Sequence, residues 1–476
     1  MAAARQARAA RRNVCRTALA TDLYELTMGA AYLELGLEAR ACFSLFVRKL
    51  PAHRPYLVAA GLRNALARLQ EWRIDRSATE FLRTTGRFDE EALRRLRDAR
   101  FTGDVWGVPE GRIVFASEPL LEVQAPILEA QLVETLLLNA VYYPTLVATK
   151  ASRCISAARG KSLVDFGMRR MPGVEASIAA ARACYLAGFA ATSNVLAGRE
   201  LNIPVSGTVG HSFVELFASE LQAFRGVAVV GHGGITLIVD TYDTRRGIGH
   251  AIEVAHELAR RGRRLDAIRL DSGDLLDLSR RARRMLDQAG LPAVRILASG
   301  GLDEYELARL EAEGAPIDGY GIGTRLGMSA DEPVIDMAYK IVEYDGQPCL
   351  KLSEGKATLA GSKQVWRRRD DSGRVREDLL ATRAEPRPGP EWEPLLEAVM
   401  CKGRAAASPE LASSRARHEH ELRSMPRDLL GLEPPVRPFP VRLSARLTEY
   451  QKRAVAEIKR REHVDERRPG NASRRS

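Results

Sequence analysis

Between Lys161 and Arg325 short apolar runs of β type alternate with stretches whose apolar residues recur at helical spacing. Ile235–Val239 predicts a strand, and Ile248–Arg261 a helix with Ile248, Ile252, Ala255 and Leu258 on one face. Ala267–Leu270 predicts the next strand and Leu275–Gln288 the next helix, which stops at Gly290 as a C-cap. Val294–Ala298 and Ile317–Ile322 predict two more strands, separated by a helix over Leu302–Glu313 that Gly314 ends. Strand–helix units of roughly 25–30 residues mark parallel βαβ connections. Each predicted strand ends in a Gly-, Ser-, Asp- or Arg-rich cluster: Asp165–Arg169, Thr192–Asn194, Thr208–Ser212, Asp240–Thr244, Arg269–Asp274, Ser299–Gly301 and Gly321–Arg325. With parallel strands all seven clusters face one mouth, where barrel-type α/β enzymes keep their chemistry.

The flanking pattern differs. Thr21 to Thr27 starts a helix with an acid in its first turn, Cys42–Val47 predicts a strand, and Gly61–Trp72 and Glu90–Ala99 predict helices. Gly103–Val123 is β-rich, and Pro126 opens an apolar helix over Leu128–Asn139. After about Asp331 the alternation ends. Met337–Tyr344 and Gln347–Leu352 form a predicted hairpin around Asp345-Gly346, Gln364–Arg369 and Val375–Leu380 predict strands, and Leu447–Arg461 a polar helix.

The 476 residues, 45% of them hydrophobic, can bury a substantial core in two or three units. The net charge of +11 suggests nucleic acid until it is located. Residues 1–20 hold five arginines and no acid, and residues 451–476 hold nine Lys or Arg against four acids. The two ends therefore carry nearly all the excess, and a nucleic-acid-binding protein becomes the alternative of another class. Six scattered cysteines without a CxxC pair indicate neither zinc nor a disulfide framework and fit the cytoplasm. No window offers the ~18 uninterrupted apolar residues of a membrane span. The Arg-rich start resembles a transit peptide, but arginine outnumbers lysine 62 to 10 throughout, so it reads as a disordered tail of a cytoplasmic protein.

Candidate chemistry sits in the clusters. His211, framed by Gly207 and Gly210 between a strand end and a helix start, can act as a nucleophile towards phosphorus. Arg269 and Asp271, two apart on a strand, point to one face. A strand-end ion pair with Asp274 as a helix cap would account for part of that cluster. Ser299-Gly300-Gly301 and Gly321-Ile322-Gly323-Thr324-Arg325 are consecutive late turns suited to phosphate. Asp240 and Asp243 stand in a near miss of a phosphoribosyl-pyrophosphate loop, with Arg245 where glycine belongs. Phe166 and Arg169 offer a stacking ring and a cation, although a core Phe with surface arginines reads equally well.

In order along the chain, TDLYELTM (21–28), DFGMRR (165–170), GTVGHS (207–212), VDTYDT (239–244), RLDSGDL (269–275), SGGLDE (299–304), GIGTRL (321–326) and KLSEGKAT (351–358) resemble the nicotinate phosphoribosyltransferase family. The resemblance implies a type II phosphoribosyltransferase fold: an irregular α/β barrel beside a mixed α+β domain built from both chain ends, active as a homodimer. The mixed domain is then expected at 17–125 and 336–445 and the catalytic barrel at 126–335, while the disordered basic tail at 1–16 and the polar helix and basic tail at 446–476 are read from composition, the Arg-rich ends lying outside the family pattern. The implied reaction joins nicotinate and phosphoribosyl pyrophosphate into nicotinate mononucleotide for NAD salvage, with ATP as co-substrate and Mg2+. By the same resemblance His211 is phosphorylated, Asp240 and Asp271 orient the ribose and magnesium-bound pyrophosphate, and Tyr24 (across the dimer) and Phe166 sandwich the pyridine ring. Thr208 and Arg269 hold nicotinate, with Arg169 nearby for its carboxylate or the phosphates. Ser299, Gly300, Gly301, Gly321, Gly323 and Thr324 cradle the 5′-phosphate. Ser193 replaces the aspartate of nicotinamide-using relatives, which favours an anionic substrate. Gly210 departs from the alanine of many relatives. Nicotinamide and quinolinate phosphoribosyltransferases are the enzymatic alternatives. No membrane or nucleic-acid partner is expected.

Overall fold

The computed structural model describes residues 18–97, 99–230, 234–353, 358–407 and 409–462. The expected tails at 1–16 and beyond 462, and part of KLSEGKAT, lie outside them.

Six parallel strands form the sheet predicted from the alternation: β1 (Ser162–Asp165), β2 (Ala191–Thr192), β3 (Thr236–Ile238), β4 (Ala267–Leu270), β5 (Arg295–Ser299) and β6 (Gly319–Ile322), in the order β2-β1-β6-β5-β4-β3. Their near-continuous apolar character follows from cover on both faces. The helices Thr244–Ala259, Leu275–Gln288 and Glu304–Ala312 begin where Asp243, Asp274 and Asp303 accept first-turn N–H groups. The first starts a turn earlier than its apolar period indicates because Asp243 caps it. Asp243 and Asp274 are thus occupied as helix caps.

Seven strand ends were expected, and the seventh is vestigial. Before Thr208 the chain makes one parallel bridge, Val205 to Thr192, since Pro204 has no N–H to extend a ladder. No ladder among the described residues joins this edge to β3, so the hydrogen-bonded sheet is open. It is nevertheless curved: residues 206–208 from one edge and Thr236 from the other line one cavity of about 250 Å³. No helix among the described residues is long and apolar enough to cross a membrane.

The two chain ends interleave in an antiparallel seven-stranded sheet. Arg40–Val47 pairs with Pro119–Pro126 on one side and Met337–Tyr344 on the other, and Glu397–Cys401 joins through Asp104–Gly107. Gln347–Leu352, expected as a full strand, pairs only over Gln347–Pro348. The helix predicted to stop at Asn139 is two segments, Ile127–Leu132 and Glu134–Ala157. Pro144 lies inside the second without ending it. Its turn is held from outside, where the Thr145 hydroxyl donates to the Ala60 carbonyl and the Thr149 hydroxyl accepts from the Val58 N–H.

Buried polar groups lock these parts together. Glu304, at the first turn after β5, is buried with Arg54, Lys150 and Arg153 around it. His418 is buried between the Gly111 carbonyl (3.1 Å) and the Ser152 hydroxyl (3.0 Å). Burial lowers its pKa from 6.5 to about 4, against smaller raising contributions from Gly111 and Glu421. The neutral ring therefore contributes stability that is whole above about pH 6.5 and is lost as pH falls towards 4. Denaturant titrations should show a loss of about 2 kcal/mol between pH 7 and pH 5 that is absent in His418→Gln.

Candidate active site

At the C-terminal ends of the strands, side chains from four clusters form one hydrogen-bonded knot. Arg269, near the end of β4, donates from Nη2 to Asp271 Oδ1 (2.6 Å), from Nη1 to Thr208 Oγ1 (2.6 Å) and from Nε to Ser299 Oγ (2.7 Å). Its guanidinium carbon lies 5.4 Å from the centre of the Phe166 ring, within cation–π range. All five guanidinium N–H groups lie in one plane, so a single arginine can span three loops.

Asp271 also accepts from Ser299. Burial raises its carboxyl pKa, but the hydrogen bonds from Arg269 and Ser299 and the nearby charges outweigh burial, and the net shift is downward. Asp240 Oδ2 accepts from the Asp271 N–H (2.7 Å) and the Ser272 hydroxyl (2.8 Å), which ties the β3 and β4 loops. Asp240 Oδ1 is buried and has no hydrogen-bond partner. A buried acceptor in that state is ready for a donor or a cation.

His211 opens the short helix His211–Glu215 after Gly210. Its Nδ1 is 3.1 Å from Thr241 Oγ1, and its Nε2 is 3.8 Å from Asp271 Oδ2. With the imidazole side chain 36% exposed, Nε2 is within reach of the mouth and of solvent. Thr241 was not singled out in the sequence; only its place in VDTYDT could have marked it.

Beneath this knot, Asp165 accepts from the Gly167 N–H (2.8 Å) and the Thr192 hydroxyl (2.7 Å). Burial raises its pKa despite those two bonds. The Ser193 N–H donates to the Asp165 carbonyl (2.8 Å), which brings Ser193 beside the Phe166 loop. Phe166 lies against β6 so closely that a Cβ on Gly321 would stand 2.3 Å from its ring. Gly300 has φ +88°, and a Cβ there would sit 1.9 Å from the Asp271 carbonyl oxygen. Gly301 has open space beside it. Gly300→Ala should therefore push the Asp271 loop out of place, cutting turnover at least tenfold and lowering stability by more than about 1 kcal/mol. Gly301→Ala, also at positive φ (+65°), should cost about 1 kcal/mol of backbone strain but leave the Asp271 loop and turnover nearly unchanged, and thermal melts with steady-state rates compare the two. Gly323 precedes Thr324, the first residue of the turn Thr324–Gly327.

Arg169 is exposed on a 3-10 turn, with no ion pair among the described residues. Tyr24 is 48% exposed on the helix Leu23–Glu34. Its hydroxyl pKa is raised by burial and by Glu134, Glu25 and Asp22, none of them mouth residues.

A model of the nicotinate phosphoribosyltransferase N-terminal domain matches residues 19–142, and one of the nicotinate phosphoribosyltransferase family matches residues 161–364. The chain belongs to the nicotinate phosphoribosyltransferase family. Nicotinate phosphoribosyltransferase pncB2 of Mycobacterium tuberculosis is 45% identical over 460 residues, covering 95% of this chain and 96% of that protein. The crystal structure of human nicotinic acid phosphoribosyltransferase superposes with a TM-score of 0.82 at 30% identity, covering 91% of this chain and 99% of that one. A nicotinate-nucleotide pyrophosphorylase from Pyrococcus furiosus shares the fold, with a TM-score of 0.69 at 22% identity over 86% of this chain and 96% of that one. Within this nicotinate phosphoribosyltransferase family member, the site brings together His211, Asp240, Asp271, Arg269, Thr208, Phe166 and Ser299 from five of the seven clusters, with Ser193 of a sixth beside the Phe166 loop. Tyr24 and Arg169 stand apart from it.

Proposed function

We propose that this chain transfers the phosphoribosyl group of phosphoribosyl pyrophosphate to nicotinate, releasing pyrophosphate and forming nicotinate mononucleotide for NAD salvage. The pyridine nitrogen forms a bond to the anomeric carbon as the bond from that carbon to the pyrophosphate oxygen breaks. The observation that carries this reading is the single knot in which Arg269 meets an aromatic ring, a hydroxyl and a carboxylate. Phe166 offers a face for the flat pyridine, and Thr208 and Arg269 a polar edge for its carboxylate. Tyr24, reaching across a homodimer, would close the other face, and Arg169 would supply a cation at the rim. Asp240 and Asp271 put negative charge where a cation-like sugar develops. The Gly300, Gly301 and Gly323 turns, with Ser299, Gly321 and Thr324, suit the 5′-phosphate.

Magnesium fits the oxygen donors available, since Asp240 Oδ1 lacks a partner and carboxylates are hard ligands. Asp240 and Asp271 would hold it with the pyrophosphate, where it supplies charge neutralisation for the leaving group. A neutral Ser193 in place of an acid favours nicotinate over nicotinamide, because two carboxylates in a dry site repel. A substrate panel tests this directly: product should form from nicotinate, with at most traces from nicotinamide or quinolinate. Preference for either of the latter would overturn the reading. Ser193→Asp should shift preference towards nicotinamide.

His211 is the proposed phosphate acceptor. In the tautomer whose Nδ1–H donates to the Thr241 hydroxyl, the Nε2 lone pair is free. Nε2 bonds the γ-phosphorus of ATP as the β–γ oxygen bond breaks and ADP departs, and the added charge biases the neighbouring loops. Incubation with γ-labelled ATP should give an acid-labile, base-stable phosphoprotein that His211→Ala does not form. Label persisting in the variant would place the acceptor elsewhere.

A further inference from the structure

The two late turns proposed for the 5′-phosphate lie side by side, because Ser299 and Gly321 are register partners where β5 meets β6. The N–H groups of Gly300, Gly301 and Gly323 make no hydrogen bond among the described residues, so they are available to an anion. The residues proposed for that phosphate nevertheless carry no charge. A phosphate dianion taken out of water calls for a cation. Arg325 is the only Lys or Arg in either turn.

Arg325 is held in a way that suits it to a ligand. Asp303, only 8% exposed, accepts the Tyr305 and Glu306 N–H groups on Oδ1 (3.1 and 3.0 Å) and the Arg325 Nη1 on Oδ2 (2.7 Å). The Arg325 side chain is 51% exposed, and its Nε and Nη2 have no hydrogen-bond partner among the described residues. These two nitrogens form the edge of a guanidinium that takes two oxygens of one anion at once.

Holding the turns together does not require this pair. Beneath them Arg54 bonds both Glu304 (2.9 Å) and Asp331 (2.9 Å), and Lys150 bonds the same two carboxylates. Glu304 follows the first turn and Asp331 the second, so the two are already locked by a network in which Glu304 and Lys150 are fully buried. Breaking a buried network of that kind costs far more than losing a half-exposed pair.

We propose that Arg325 is a substrate-binding residue, whose Nε–Nη2 edge takes the 5′-phosphate of phosphoribosyl pyrophosphate together with the free N–H groups of the two turns. Asp303 aims the guanidinium and is neutralised by it. Loss of Arg325 therefore removes a cation and also leaves a carboxylate beside the phosphate. The assignment rests on the proposed transfer from phosphoribosyl pyrophosphate.

Calorimetric titration of the full chain with phosphoribosyl pyrophosphate and magnesium tests it. Arg325→Ala should weaken binding about tenfold or more, the loss expected for a charge-assisted contact. In steady state the KM for phosphoribosyl pyrophosphate should rise to match, while the KM for nicotinate stays unchanged. Arg325→Lys keeps a cation and should recover part of the loss. Asp303→Asn breaks the same ion pair, yet its amide oxygen can still cap the helix. If Arg325 served only to tie the turns, Arg325→Ala and Asp303→Asn would be equally affected; as a phosphate ligand, its removal costs several-fold more than Asp303→Asn. Parent-like affinity in Arg325→Ala, or equal losses in those two variants, would overturn the assignment. A folded parent that binds no phosphoribosyl pyrophosphate would refute the function reading, whereas a parent that makes nicotinate mononucleotide beside a parent-like Arg325→Ala would refute this assignment alone.

Discussion

Asp240→Ala is expected to lower turnover of nicotinate and phosphoribosyl pyrophosphate by about a thousandfold. The carboxylate has two tasks. Its Oδ2 receives the Asp271 N–H and the Ser272 hydroxyl, and so holds the β4 loop in register with the β3 loop. Its Oδ1 is buried and unpartnered, which leaves negative charge available to a ribose hydroxyl, a metal or a developing sugar cation. Alanine removes both. Asp240→Asn separates them, since the amide oxygen can still accept the loop hydrogen bonds while the charge is gone. It should be nearly as damaging as alanine, with an unchanged circular dichroism spectrum. An asparagine variant within tenfold of the parent rate would show that loop positioning, and not charge, is what Asp240 provides.

The second large effect is expected at Arg269. Arg269→Ala should reduce kcat/KM for nicotinate by about 10²–10³, the cost of breaking a largely buried charged pair that also orients its neighbours. It would strand Asp271, Ser299 and Thr208 together, because all three bond to the one guanidinium. Arg269→Lys should recover little, as an ammonium lacks the planar fork that reaches three acceptors. The pH profile provides an independent check. Asp271 in the parent has a depressed pKa, burial being outweighed by Arg269 and Ser299, so it stays ionised down to below the ordinary value of about 3.9. The stability its charge contributes is present above about pH 3.9 and lost as pH falls through the lower folded value. Without Arg269 burial is opposed less, the carboxyl pKa rises, and the acid limb of the rate profile should move to higher pH.

The strand–helix alternation was legible because buried parallel strands are apolar throughout and their helices carry a clear face, as in Thr244–Ala259. The mouth was legible for the same reason: polar and Gly clusters stand out against those runs. Where packing is polar the signal failed. The helix Leu411–Ser424 buries Ser414, His418 and Glu421 beside Leu411, so it shows no apolar period and was not anticipated. Arg367, Asp378 and Glu421 form a fully buried ion cluster on strands and a helix far apart in sequence, which no local pattern reveals. The length of Glu134–Ala157 was hidden by Pro144, whose helix-breaking tendency is overridden by tertiary bonds at Thr145 and Thr149. Within the site, individual residues could be proposed from sequence, but Arg269 as the hub linking Thr208, Asp271, Ser299 and Phe166 required coordinates. Tyr24 lies beside Glu134 within one subunit and away from the mouth, so the role proposed for it would need a second copy of the chain.

The most direct test is to incubate the full chain with nicotinate, phosphoribosyl pyrophosphate, ATP and magnesium, and to quantify both products. Nicotinate mononucleotide and pyrophosphate should appear in equal amounts, with the rate depending on nicotinate. Pyrophosphate released at the same rate without nicotinate, or no nucleotide formed by a folded chain, would contradict the account.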